Sequence, residues 1–153
     1  MLFLLFQLGG DRYALPVNQV IEVLPLVEIK SIPLAPPGVS GIFNYRGTPV
    51  PVIDISQMTI GRPAELKLST RIVLVKYDEL EQQVVGLLAE RATQLLRRDP
   101  KEFYDPGVSV ASAPYLGQVT TDGTGLIQRI ELVALLSGAV KKLLFPSELQ
   151  RIE

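Results

Sequence analysis

Few residues in this sequence have side chains that could carry out chemistry. The chain contains no histidine and no cysteine, which removes histidine acid–base catalysis, thiol nucleophiles and Cys/His zinc sites. Asp54 and Glu22 could in principle act as an acid and a base, but their spacing does not mark a carboxylate dyad. Gly38, Gly41 and Gly47 form neither a Walker loop nor a Gly-x-Gly-x-x-Gly fingerprint. The sequence therefore predicts a protein that is not an enzyme, with no catalytic residues, no metal site and no cofactor.

Three charged residues, Glu22, Arg46 and Arg71, lie among apolar neighbours in the sequence. A charge in an apolar setting costs free energy unless it is paired, so each has either an internal partner or an external one. Arg46 is either a loop arginine paired with a nearby carboxylate, which is the commoner situation, or an arginine offered to another protein. Glu22 is either a binding residue or a solvated position on a helix. These alternatives stay open at this point.

Arg46 lies at the tip of a hairpin predicted over residues 38–55. Residues 44–47 read Asn-Tyr-Arg-Gly, and Asn and Gly tolerate the positive φ that a tight reversal requires. The second strand contains Pro49 and Pro51, whose missing N–H groups fall on one strand edge. That edge cannot be fully paired in a continuous sheet. We therefore expect Arg46 close to an open strand edge, at which a partner protein or a second copy of the chain could dock.

The composition is that of a soluble globular protein with ample material for a core. Of 153 residues, 47% are hydrophobic and 20% are charged, and the formal net charge is −1. Acidic and basic residues are mixed along the chain, so no overall field attracts nucleic acid or an anionic bilayer. Residues 1–6 are apolar but lack a basic leader, and we expect neither a signal peptide nor a membrane span. The expected location is intracellular.

Hydrophobic periodicity predicts strands joined by turns, with a few short helices. Besides the hairpin, strands are expected at residues 2–8, 12–15, 72–75, 84–88, 115–121 and 126–130. A short helix is expected after Pro16, because Val17, Val20, Ile21 and Leu24 recur at helical spacing, and a terminal helix over 131–136. Residues 56–67 are expected to form a loop. For residues 87–98 the intrinsic propensities alone favour a helix.

The two glycine-turned hairpins of the chain resemble each other. An offset of about half the chain places Gly41 on Gly117, Gly47 on Gly123 and Thr48 on Thr124. If this repeat is real, the chain contains two similar β units. Neither unit could bury its apolar face alone, so the two would pack against each other around one core.

Several motifs together resemble the CheW-like adaptor family over nearly the whole chain. They stand in the order and spacing of that family: Phe6-Gln7-Leu8-Gly9-Gly10, Tyr13-Ala14-Leu15-Pro16-Val17, Val20-Ile21-Glu22-Val23, Gly41-Ile42-Phe43-Asn44-Tyr45-Arg46-Gly47, Val50-Pro51-Val52-Ile53-Asp54-Ile55 and Val84-Val85-Gly86-Leu87-Leu88. Two departures are that Tyr45 stands where leucine is commoner and that Ala89-Glu90 replaces the usual valine–aspartate.

The resemblance implies an all-β fold of two SH3-like five-stranded β-barrels that share a hydrophobic core. Residues 1–153 would form a single CheW-like domain. One barrel would take roughly residues 15–75 and the other roughly 76–136 plus the N-terminal strand. Residues 139–153, which have no secure counterpart in the family, are expected to form a helical tail from their amphipathic pattern around Leu143, Leu144 and Phe145. The resemblance also implies that residues 87–96 form a strand, against their helical propensity.

The same resemblance implies a cytoplasmic, non-enzymatic adaptor that couples chemoreceptor-type signalling proteins to a CheA-type histidine kinase, at membrane-associated receptor arrays. Its partners would be the kinase's regulatory domain and the cytoplasmic tip of a receptor coiled coil, with no nucleic acid and no membrane insertion. The receptor- and kinase-binding residues implied are Glu22, Gly41, Asn44, Arg46, Gly47 and Gly86. An alternative is an SH3-like or OB-like barrel that binds nucleic acid or a small ligand, which the near-neutral charge argues against.

Overall fold

The computed structural model describes residues 1–78 and 83–136. Its elements in chain order are β1 (Leu2–Leu8), β2 (Asp11–Pro16), a 3-10 turn (Val17–Gln19), β3 (Val20–Pro25), β4 (Val39–Tyr45), β5 (Thr48–Asp54), α1 (Ile55–Ile60), β6 (Arg71–Asp78), β7 (Gln83–Arg97), a 3-10 turn (Pro100–Glu102), β8 (Leu116–Asp122), β9 (Gly125–Ile130) and α2 (Leu132–Leu135). The expectation of a mainly β chain with short helices is confirmed.

The strands form two units of five strands each, which share the long strand β7. Unit 1 has the order β4-β5-β7-β6-β3, and unit 2 has the order β8-β9-β2-β1-β7. At 15 residues, β7 is long enough to pair with β6 through its first half and with β1 through its second half. It passes from one unit to the other beside Arg91, whose φ is 49°.

The two units repeat one pairing pattern. Starting from the hairpin, the pairs are antiparallel, parallel, antiparallel and antiparallel in both units. Isolated bridges recur at matching places, Lys30–Ile42 in unit 1 and Tyr104–Val119 in unit 2. The hairpin registers, Tyr45 opposite Thr48 and Asp122 opposite Gly125, differ by one residue from the offset suggested by the glycines. The structural repeat therefore aligns Gly47 with Thr124.

Three apolar clusters fill the molecule. The largest combines residues from β1 and β2 with others from β5, β6 and β7, for example Phe6, Leu15, Ile53 and Val75, so it lies between the two units. A second cluster, with Phe43 and Ile72, belongs to unit 1, and a third, with Phe3 and Ile127, belongs to unit 2. Most of the buried apolar residues thus belong to the cluster that the two units share.

Among the residues that the structure describes, strand pairing does not close either unit into a complete barrel. The terminal strands of unit 1, β3 and β4, have no ladder between them, and one bridge from Lys30 lies on the outer edge of β4. The predicted five strands of each barrel are present, whereas the sheets themselves are open. We call the gap between β3 and β4 the seam of unit 1. The predicted division of the chain near residue 76 stays a prediction, and β7 belongs to both sheets.

Two local predictions are wrong. The helix expected after Pro16 is a single 3-10 turn followed by β3, because Val20–Pro25 pairs with β6 and alternates between half-buried and exposed side chains. The loop expected over residues 56–67 begins with α1. Asp54 caps this helix by accepting from the Gln57 amide at 3.2 Å, and Gly61 ends it at a φ of 75°.

Residues 87–96 form a strand, as the resemblance implied and against their helical propensity. Pairing with β6, β5 and β1 satisfies the backbone of β7 at many positions, and that outweighs a propensity difference of a few tenths of a kcal/mol per residue. The terminal helix is present as Leu132–Leu135. The predicted helical tail at 139–153 lies outside the described residues.

Candidate functional site at the seam of unit 1

An open groove follows the seam of unit 1. Its volume is about 760 Å³. Its floor and walls are mostly apolar, and charged side chains stand at its rim. The lining residues are Glu22, Leu24, Pro25, Val27, Glu28, Lys30, Ile42, Phe43, Asn44, Tyr45, Arg46, Gly47 and Pro49. We call this surface the seam groove. Apolar walls with a few polar groups are typical of surfaces that bind another macromolecule or a ligand.

Three side chains at one end of the seam groove contact each other across the seam. The Tyr45 hydroxyl, at the end of β4, donates to Glu22 Oε1 on β3 at 2.7 Å. Arg46 Nη2 donates to the same oxygen at 3.3 Å. The Arg46 guanidinium also lies over the Tyr45 ring, with 5.0 Å between Cζ and the ring centroid. Glu22 therefore has two donors, and Arg46 has two neighbours that restrict it.

Arg46 nevertheless remains open to solvent. Its side chain is 74% exposed, compared with 35% for Glu22. An ion pair this exposed contributes little to stability, about 0.2–1 kcal/mol in typical measurements. Most of the N–H groups of the guanidinium fork remain accessible to a binding partner.

The backbone of the hairpin tip holds Arg46 in an uncommon conformation. Arg46 has a φ of 52° and Gly47 a φ of 88°, as in the two-residue turns that match strand twist. Asn44 supports this turn, because its Oδ1 accepts a hydrogen bond from the Gly47 amide at 2.7 Å. Arginine is an unusual choice at positive φ, and such positions often serve function rather than stability.

The hydrogen bond to Glu22 raises the pKa of the Tyr45 phenol above its ordinary value of 10.0. Burial acts in the same direction, and the positive charge of Arg46 acts against it. The phenol is therefore protonated at neutral pH and serves as the donor in its contact with the Glu22 carboxylate.

A family model decides what kind of chain this is. The model of the CheW-like domain matches residues 2–140. The chain belongs to the CheW-like domain family.

Individual relatives agree with this CheW-like assignment. The chain is 29% identical over 96 residues to the chemotaxis protein CheW of Helicobacter pylori, covering 62% of this chain and 56% of that protein. It is 25% identical over 139 residues to the chemotaxis protein CheW of Treponema pallidum, covering 86% of this chain and 79% of that protein. The chain thus matches just over half the length of the Helicobacter protein. The crystal structure of the scaffolding protein TtCheW from Thermoanaerobacter tengcongensis superposes with a TM-score of 0.77 at 24% identity, covering 91% of this chain and 89% of that one, and supports the fold.

The structure brings four of the six predicted binding residues of this CheW-like chain together. Glu22, Asn44, Arg46 and Gly47 all line the seam groove. Whether they bind a partner is not decided by their proximity, and their role stays a prediction.

The other two predicted binding residues, Gly41 and Gly86, are buried backbone positions. A Cβ on Gly41, whose φ is 146°, would lie 2.0 Å from the Lys30 carbonyl oxygen. A Cβ on Gly86 would lie 2.9 Å from Ile72 Cγ2, inside the core of unit 1. Both glycines are needed for close packing beneath the groove, so neither can offer a side chain to a partner.

Asp54 and Arg71 have internal roles. The two carboxylate oxygens of Asp54 accept from the Gln57 amide at 3.2 Å and the Ala64 amide at 2.9 Å, and Asp54 does not line the seam groove with Glu22. The two carboxylates therefore do not assemble an acid–base pair. The Arg71 guanidinium donates to backbone carbonyls, those of Leu68 and Thr70, and so has an internal partner.

Sequence reasoning missed the part that Tyr45 plays. It treated the tyrosine as a departure from the family, whereas the structure gives it contacts with both Glu22 and Arg46. The available signal was a phenol directly next to the arginine of the turn. A buried or half-buried hydroxyl needs a hydrogen-bond partner, and Glu22 was the unassigned carboxylate.

Across residues 1–78 and 83–136, no group of three or more acidic side chains could hold a metal ion. In the same ranges no helix is long and apolar enough to cross a bilayer.

Proposed function

We propose that this CheW-like chain is a non-enzymatic adaptor that couples chemoreceptor-type signalling proteins to a CheA-type histidine kinase. In this proposal the seam groove binds a partner protein, and Arg46 is its main polar anchor. The observation that carries the proposal is the exposed Arg46 guanidinium at the rim of an apolar groove, in a chain of this family.

The groove has the composition that protein recognition requires. Leu24, Val27, Ile42 and Phe43 supply apolar surface whose burial would provide affinity. Arg46 would fix the register of the partner by hydrogen bonding, since its planar guanidinium can donate to a partner's acceptors only in certain geometries. The rim also carries Lys30 and Glu28, which would favour partners whose facing side chains have the opposite charges.

The two buried glycines fit this proposal indirectly. Gly41 lets the segment around Lys30 cross β4 closely, which shapes one wall of the groove. Gly86 lets Phe43 pack against β7, which sets the depth of the floor. A larger residue at either position would change the groove without touching the partner.

The proposal is tested by capture of both partners with matched arginine variants. The chain is mixed with a CheA-type kinase and a cytoplasmic fragment of a chemoreceptor-type protein, and binding is measured by co-sedimentation. Arg46→Asn should lose capture of at least one partner. Arg91→Asn is the control, because Arg91 is also exposed and also has a positive φ, but it does not line the groove.

Capture that is equally strong with wild type, Arg46→Asn and Arg91→Asn would contradict the proposed site. Failure of the wild-type chain to bind either partner would contradict the proposed function. A cytoplasmic location at receptor arrays belongs to the same proposal and would be checked by imaging a fluorescent fusion in the source cell.

A further inference from the structure

We infer that Tyr45 is the positioning residue of the seam groove, because it links β3 to β4 through Glu22 and carries the Arg46 guanidinium on its ring. The inference rests on the proposed function for its binding readout. It goes beyond that function by assigning the position of Arg46, and with it the specificity of the groove, to one aromatic residue.

The first step is that unit 1 needs a link across its seam. β3 and β4 are the two ends of a five-strand order, and the described residues show no ladder between them. At one end of the groove the Lys30–Ile42 bridge ties the segment between β3 and β4 to β4 itself, with N···O distances of 2.8 and 2.9 Å. At the hairpin end, the Tyr45–Glu22 hydrogen bond of 2.7 Å joins β4 to β3. Tyr45 thereby sets the width of the groove beside Arg46.

The second step is that the Tyr45 ring is itself held in place. It lies 6.3 Å from the Phe43 ring, centroid to centroid, at an interplanar angle of 55°. Phe43 is only 4% exposed and belongs to the core of unit 1. The core therefore fixes Phe43, and Phe43 contacts Tyr45. The Tyr45 ring in turn supports Arg46, with 5.0 Å between the ring centroid and Arg46 Cζ. This chain of contacts gives an exposed arginine a defined position.

The third step is that leucine could not do the same. A leucine at position 45 would keep the apolar contact with Phe43 but would have neither a donor for Glu22 nor a π-face for Arg46. Glu22 would then have Arg46 as its remaining described donor. With the phenol present, Glu22 Oε1 accepts from both Tyr45 and Arg46. Arg46 Nη2 stays 3.3 Å from this oxygen, and most of the Arg46 side chain is exposed.

Unit 2 provides an internal comparison. By the hairpin registers, Asp122 occupies the position that corresponds to Tyr45. It accepts from Arg12 at 2.8 and 2.5 Å, so the tip of unit 2 is joined to the neighbouring strand β2 by a two-contact ion pair. The corresponding tip of unit 1 instead presents a cation above an aromatic ring.

The inference is tested with Tyr45→Leu and Tyr45→Phe, and Tyr104→Phe serves as the control because Tyr104 is exposed on unit 2. NMR measures two properties of the Arg46 side chain in each full-length variant: the ring-current shift of its protons and the order parameter of its Nε–Hε bond. The affinity for the partner that Arg46→Asn loses is measured alongside. Both NMR readouts report on the Arg46 side chain itself, and a general loss of stability would not change these two values selectively.

We expect Tyr45→Leu to abolish the upfield shift, lower the Arg46 order parameter and weaken partner binding about fivefold, from the usual size of a cation–π contact. Tyr45→Phe should keep the shift and bind with intermediate affinity, and Tyr104→Phe should match wild type. An Arg46 side chain that is equally ordered and shifted in Tyr45→Leu would overturn the inference. So would wild-type binding by Tyr45→Leu when Arg46→Asn does not bind. If Arg46→Asn binds normally, the proposed binding site fails, and the NMR result alone decides the positioning role.

Discussion

Replacing Arg46 by asparagine should separate binding from stability. Arg46 occupies a φ of 52°, a conformation that costs most L-residues about 1–2 kcal/mol but that asparagine adopts readily. The substitution also removes the ion pair with Glu22 at 3.3 Å, which at 74% exposure of Arg46 is worth about 0.5 kcal/mol. It also removes the contact between the guanidinium and the Tyr45 ring, which at an exposed site is worth about 0.5–1 kcal/mol. The relief of strain opposes the two lost contacts, so the free energy of unfolding should change by no more than about 1 kcal/mol.

The binding effect should be much larger. If Arg46 is an anchor of the groove, its loss should cost about 2 kcal/mol or more, which is about a thirtyfold loss of affinity. The assay combines thermal unfolding with isothermal titration of the partner, using Arg91→Asn in parallel. For a chain of 153 residues, 1 kcal/mol corresponds to about 2–4 °C, so the Tm should stay within about 4 °C of wild type. A fall in Tm of about 8 °C, or unchanged affinity, would refute the reasoning.

Three further predictions follow from individual contacts. Gly41→Ala should lower the free energy of unfolding by about 2 kcal/mol or more, because its Cβ would lie 2.0 Å from the Lys30 carbonyl oxygen at a φ of 146°. Hydrogen exchange of the Ile42 amide should show that the Lys30–Ile42 bridge opens first. Gly86→Ala should lower the free energy of unfolding by about 1–3 kcal/mol through overpacking against Ile72, and the folded fraction should still bind the partner. A variant that is fully stable but does not bind would mean that Gly86 acts in recognition. The Arg12 guanidinium lowers the pKa of Asp122 from 3.8, so Asp122 stabilises the fold above pH 3.8, and this contribution declines as the pH falls below that value and vanishes below the folded-state pKa. The stability gap between wild type and Asp122→Asn, from urea unfolding, should accordingly shrink on acidification, and a gap that widens would contradict this assignment.

The hairpins were predictable because their signals are local. Gly47 takes a positive φ in the turn, the Asn44 side chain accepts from the Gly47 amide, and β-branched residues on either side supply the strands. The prediction from Pro49 and Pro51 holds only in part: β5 is not a marginal strand, because it pairs with both β4 and β7, but its pairing with β7 begins at Val52, directly after the prolines. The α1 helix was missed although its signals were local too, with Asp54 as the N-cap and Gly61 as the C-terminal glycine.

Other features depended on tertiary contacts. The helical spacing of Val17, Val20 and Leu24 was a coincidence of a short apolar segment, and pairing with β6 determined the outcome. The placement of residues 87–96 came from the family resemblance, not from propensity. At the candidate site, the sequence marked Glu22 and Arg46 as charges in need of partners, and the structure pairs them with each other and with Tyr45. No local pattern links position 22 to position 45, because β3 and β4 lie next to each other only in the folded unit 1.

The most direct test of the central claim is an NMR titration of the labelled chain with a cytoplasmic helical fragment of a chemoreceptor-type partner. If the seam groove is the binding surface, backbone amide shifts should change mainly at residues 22–30 and 42–49, and Arg46→Asn should remove those changes. Shifts confined to unit 2, or no shifts at a saturating concentration of the fragment, would contradict the account.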